Sequence, residues 1–89
     1  MHRRIIHFDG RVQGIGFRYT TQNIAMRYAV QGYVRNLSDG RVELVLEGDD
    51  GEMDHVLKCL RQKMNGYIRH VDSETYPATG EFDNFAIRH

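Results

Sequence analysis

Between Arg4 and Arg18 the apolar rhythm of this chain changes, and the change limits what it can fold into. From residue 4 to residue 12, Ile6, Phe8 and Val12 share one face and His7, Asp9 and Arg11 the other, the period of a half-buried strand. From Phe17 the spacing turns helical, with Phe17, Ile24 and Tyr28 near one stripe that stops before Gly32. The join is GRVQGIGFR, residues 10 to 18, with glycines at 10, 14 and 16. A strand that feeds a helix through such a loop can turn several backbone N–H groups toward one small volume, because glycine accepts the φ values of a concave nest. The helix start adds its own unpaired N–H groups and the positive end of its dipole.

The rest of the chain supplies the frame. GYVRN, residues 32 to 36, is short and rich in strand formers, and LSDG follows it as a turn with Asp39-Gly40 suited to a tight hairpin. Val42, Leu44 and Leu46 then alternate with Glu43, Val45 and Glu47. Met53, Val56, Leu57, Leu60 and Met64 keep a helical spacing, with Asp49, Asp50 and Glu52 at its start and Lys58, Arg61 and Lys63 toward its end, the charge order a helix dipole favours. Asn65-Gly66 stops it. Residues 67 to 76 read as a strand, residues 77 to 80 break it, and residues 84 to 88 form a short edge strand with Phe85 and Ile87 facing in. The order β-α-β-β-α-β with a short final strand predicts an α+β sandwich, two helices on one face of an antiparallel sheet.

Composition narrows the function classes. At 89 residues the chain is read as one domain, able to keep roughly 60% of its unfolded surface from water without disulfides. Lys plus Arg equals Asp plus Glu at twelve each, so no overall field draws the chain to nucleic acid or to an anionic membrane. An anion site must be local. Cys59 has no partner for a bridge and falls in an apolar helical pattern, which reads as a buried small hydrophobe in a reducing cytoplasm. The apolar stretch near Met1 is too short for a signal peptide or a spanning helix. A cytoplasmic monomer is the expectation.

In the split β-α-β arrangement the first two strands are parallel with the third between them. The glycine loop and Asn36 then leave the sheet at the same edge, about 10 Å apart for two strand spacings of ~4.8 Å. Arg18, in the first helical turn, brings a planar fork of donors suited to phosphate oxygens. A cation there is unfavourable to the dipole, so an anion between them accounts for it better than stability does. Taken by themselves, three glycines could merely shape a turn and Arg18 could be solvated. The loop lacks the Gly-Lys-Ser/Thr ending of a nucleotide-binding P-loop.

Two blocks in order, GRVQGIGFR and GYVRNLSDGRVE (residues 32 to 43), together with the ending FDNFAIRH, resemble the acylphosphatase family over nearly the whole chain. The resemblance implies a ferredoxin-like sandwich and hydrolysis of the carboxyl-phosphate bond of small acylphosphates to a carboxylate and inorganic phosphate, with no metal or other cofactor. It implies that the backbone of Gln13, Gly14, Ile15, Gly16 and Phe17 cradles the phosphoryl oxygens, that Arg18 binds the same group, and that Asn36 holds the attacking water. Gly16 stands where many members carry a bulkier residue, Tyr33 where tryptophan is frequent, and His89 where an aromatic is common. A related domain occurs inside a large hydrogenase-maturation enzyme that handles carbamoyl phosphate, and a non-catalytic anion-binding module of the same fold is a further alternative.

Other constellations carry less. His2, His7, His55, His70 and His89 show neither i, i+4 pairing nor a Cys/His cluster of the kind zinc requires. Glu43 and Glu47 read as the wet face of a strand. The five tyrosines with scattered arginines lack the clustered aromatics of an RNA-recognition sheet, so no nucleic-acid partner is expected.

Overall fold

The computed structural model describes residues 1–89 as five strands and two helices: β1 His2–Gly10, α1 Phe17–Ala25, β2 Val30–Asn36, β3 Val42–Gly48, α2 Asp50–Lys63, β4 Ile68–Pro77 and β5 Phe85–Arg88. The sheet order is β4-β1-β3-β2-β5. β3 is antiparallel to both β1 and β2, β4 is antiparallel to β1, and β5 joins β2 in parallel. β1 and β2 are therefore parallel across β3, the relation that brings the end of β2 to the loop after β1. This is the expected ferredoxin-like sandwich, with a mixed sheet because of β5.

Alternation decides which side chains meet the helices. Ile6 opposes Leu44, and Leu44 opposes Val34, across three adjacent strands, and all three are fully buried. Phe8, Val42 and Leu46 extend this face, and Ile24, Met53, Val56 and Leu60 cover it from the helices. Phe8 and Phe17 meet with ring centroids 5.2 Å apart and planes tilted by 56°. Burying a ring such as Phe17 contributes about 1.5–3 kcal/mol, and here it also pins the first residue of α1 onto the sheet.

Several boundaries differ from the sequence pattern. β1 ends at Gly10 after a register irregularity between Asp9 and Gly10. Val12 is nonetheless fully buried, so the alternation runs on past the strand that explains it. α1 closes at Ala25 rather than near Gly32, because Arg27 and Tyr28 donate to the carbonyls of Ile24 and Ala25 three residues back, tightening the last turn. Tyr28 still packs against the core from that turn and stacks on His55 at 5.5 Å. Cys59 is half-buried rather than buried, its sulfur 3.5 Å from the Tyr28 hydroxyl. The β2–β3 connection is a five-residue loop, closed by the Leu37 amide donating to the Arg41 carbonyl at 2.8 Å.

The reading of Glu43 and Glu47 as a wet face is overturned: they are 9% and 4% exposed. The connection from β4 to β5 starts at one edge of the sheet and ends at the other, crossing the side opposite the helices. Glu47 accepts hydrogen bonds from the Thr79 and Gly80 amides, both at 2.9 Å, from the Thr79 hydroxyl at 2.8 Å and from Arg3 Nε at 2.7 Å. Burial alone would push its pKa up, but these donors outweigh it and hold the carboxyl at about 2. Glu43 accepts from the Tyr33 hydroxyl and Arg35 Nε and contacts His7 Nε2 at 3.0 Å. Its pKa is lowered in the same way, against burial. Arg88 lies over the Tyr33 ring at 3.9 Å, so β5 is tied to this layer too. No helix is long and apolar enough to cross a membrane.

Candidate active site

The loop from Arg11 to Gly16 joins two fixed ends. Arg11 donates its amide to the Tyr67 carbonyl at 2.9 Å, and Phe17 is locked into the core. Between them Gly14 and Gly16 take φ values of +79° and +78°. A Cβ at either position would meet no heavy atom within 4 Å, so the backbone conformation, not crowding, calls for glycine there. Gln13 holds the loop from the other side, its Nε2 donating to the carbonyls of Leu37 and Arg41 at 2.8 and 2.9 Å. Asp39 braces that same turn through the Arg41 amide and guanidinium, and these bonds keep its carboxyl below the usual range.

The consequence lies in the backbone donors. None of the N–H groups from Gln13 to Arg18 donates to another group of the chain. Gly16 caps α1 in the left-handed conformation without a side-chain bond, and no acidic residue occupies the first turn. α2 starts differently, with Asp50 and Glu52 in its first turn. α1 therefore presents an uncompensated positive end, and Arg18 adds a full charge to it.

A cavity of about 110 Å³ opens at this point, lined by Val12, Gly14, Gly16, Phe17, Arg18, Tyr19 and Asn36. Asn36 is the last residue of β2 and lies on the helix-facing side, in register with Val42 of β3. Its carboxamide is half-buried and bonds to no other group of the chain. Arg18 Nη1 makes long contacts to the Arg88 carbonyl and His89 Nδ1, at 3.4 and 3.3 Å, so the segment after β5 reaches the guanidinium.

Of the residues singled out from the sequence, Gly14, Gly16, Phe17, Arg18 and Asn36 line this one cavity. Gln13 and Ile15 belong to the same loop but do not line it: the Gln13 side chain clamps the β2–β3 turn, and Ile15 packs against the core. Pattern reading missed Val12 and Tyr19 as lining residues, and the Gln13 clamp. A long-range side-chain bond to a carbonyl leaves no periodic trace, whereas Tyr19 stands beside Arg18 and could have been flagged by that adjacency. No group of three or more His, Cys, Asp or Glu side chains is placed to hold a metal ion.

The sequence profile of the Acylphosphatase family matches residues 4–87. An acylphosphatase of Paenarthrobacter aurescens is 46% identical over 86 residues, covering 96% of this chain and 92% of the relative. The crystal structure of acylphosphatase from Bacillus subtilis superposes with a TM-score of 0.92 at 29% identity, each chain fully covered. HypF of T. kodakarensis aligns with a TM-score of 0.85 and 30% identity over all of this chain but only 12% of its own.

Proposed function

This chain belongs to the acylphosphatase family, and from that premise we propose that it hydrolyses small acylphosphates at the cavity between the 13–18 loop and Asn36. The observation that carries the reading is the run of unpartnered amides beside Arg18, facing a free carboxamide across about 110 Å³. A cavity this small, with its polar groups gathered at the loop and at Asn36, suits a phosphoryl group with one attacking water. The acyl part would then lie outside.

The chemistry follows from the residue types. Phosphoryl transfer spreads negative charge over three equatorial oxygens, and fixed N–H dipoles with a guanidinium stabilise that charge without reorganising. The amides of residues 13 to 17 and the Arg18 guanidinium bind these oxygens. Asn36 accepts a hydrogen bond from a water and orients its oxygen in line with the bond to the acyl oxygen. As the water oxygen bonds to phosphorus, the phosphorus to acyl-oxygen bond breaks and its electron pair leaves on the carboxylate. Asn36 is too weak a base to take the water's proton, which passes to a phosphoryl oxygen. A carboxylate is a good leaving group, so no general acid is needed. Arg18 and the amides supply the charge that a metal supplies in other phosphoryl-transfer sites.

The test is release of inorganic phosphate from benzoyl phosphate in the presence of EDTA. The wild type should turn over, and Asn36→Ala should lose about 10²–10³-fold in kcat, the size of removing one oriented polar group from such a site, while inhibition by inorganic phosphate is kept. Tight phosphate binding with no turnover in the wild type would identify an anion-binding module instead. Turnover by Asn36→Ala at the wild-type rate would remove the water-holding role. The reading carries with it a cytoplasmic monomer, checked by elution volume for the oligomeric state.

A further inference from the structure

The cavity leaves one group of the substrate unaccounted for. It is small, about 110 Å³, and its amides, Arg18 and Asn36 are all committed to the phosphoryl end and its water, so the acyl group is left toward the rim. Of the apolar residues in the lining, Val12 and Phe17 are spent in the core, at 0% and 2% exposure. Tyr19 is 65% exposed, the most exposed aromatic side chain of the chain, and it follows Arg18 directly in the first turn of α1.

The other tyrosines show how unusual this is. The hydroxyls of Tyr28, Tyr33 and Tyr76 are engaged by Cys59, Glu43 and Glu74, and Tyr67 does not line the cavity. Tyr19 makes no hydrogen bond and no aromatic contact within the chain. A flat ring with an apolar face and a wet hydroxyl, set at the rim of an anion cavity, offers a stacking surface to whatever the phosphoryl group carries. Nothing else in the lining offers one.

Building on the acylphosphate reading, we propose that Tyr19 is the acyl-recognition surface of this site and favours aromatic acyl groups over small aliphatic ones. A benzoyl group stacks on the ring, whereas an acetyl group is too small to cover it. A face-on or edge-on aromatic contact at an exposed rim corresponds to a preference of about two- to tenfold.

The experiment compares kcat/KM for benzoyl phosphate and acetyl phosphate in the wild type, Tyr19→Ala and Tyr19→Phe, with thermal unfolding recorded for each. The benzoyl-to-acetyl ratio should fall about fivefold in Tyr19→Ala and hold in Tyr19→Phe, which keeps the ring. An unchanged ratio in Tyr19→Ala, or an equal fall in both variants, overturns the proposal while leaving the hydrolase reading intact. Failure of the wild type to hydrolyse either compound overturns the hydrolase reading itself, and the assignment of Tyr19 with it.

Discussion

At Glu47 the chain supplies both a set of donors and the anion they bind, whereas at residues 13 to 18 it supplies amide donors alone. Around Glu47, the amides of Thr79 and Gly80 and the guanidinium of Arg3 converge on a carboxylate of the same chain. Around the glycine loop, the amides from Gln13 to Arg18 have no internal acceptor, and the Arg18 guanidinium beside them makes only long contacts to the Arg88 carbonyl and His89. The donor chemistry is alike; the source of the anion differs. An internal carboxylate closes the first assembly and ties down the connection to β5. On the proposed reading the second is left to a guest, on a loop anchored at its ends by Arg11 and Phe17 and from the side by Gln13.

The comparison can be broken most sharply at Arg18. Arg18→Ala should lower kcat/KM for an acylphosphate by about 10²–10³-fold and weaken inhibition by inorganic phosphate, with the melting temperature held. The temperature should hold because a cation in the first turn of a helix contributes nothing favourable to it. A loss of activity accompanied by an equal loss of fold would make Arg18 a second Arg3.

The reverse is expected at Glu47. Glu47→Ala leaves Arg3 Nε and the Thr79 and Gly80 amides without their acceptor, while Arg3 Nη2 keeps Glu81 and the Thr79 hydroxyl, at a cost of about 1–3 kcal/mol. Urea unfolding should move to lower midpoint while the folded protein still binds phosphate. Were Glu47→Ala as stable as the wild type, the assembly over the outer face would not be holding the fold.

The smallest effect is in pH. The folded-state pKa of Glu47, about 2 against an ordinary 4.5, means the native protein binds that proton more weakly than the unfolded chain. Its stabilisation is complete above about pH 4.5 and drains as pH falls toward 2. Glu43, shifted in the same direction, adds to the slope. Urea titrations across this range should show stability falling with acid, and Glu47→Gln should flatten the dependence. A slope unchanged in Glu47→Gln would assign the acid sensitivity to other carboxylates.

How far the chain could be read in advance depended on whether a residue's partners were local. The alternation of Ile6 and Phe8, the helical spacing of Met53 to Leu60 and the Asn65-Gly66 stop are written within a few residues of each other, and a strand and a helix formed there with ends shifted by a few residues. That five of the singled-out residues line one cavity was legible for a related reason. Gly14, Gly16 and Arg18 are neighbours in sequence, and Asn36 joins them through strand topology alone. Glu43 and Glu47 were misread because nothing in an alternating strand reveals that residues 79 to 82 will cross above it.

Backbone preferences and short-range periodicity along the chain were enough to set the element order, the apolar faces and the glycine-rich turn into α1. Tertiary structure alone decided that Gln13 clamps a turn, that two glutamates are buried in donors and that Arg18 meets the residues after β5. Each of these joins groups far apart along the chain, and such a contact exists only once the sheet has brought them together.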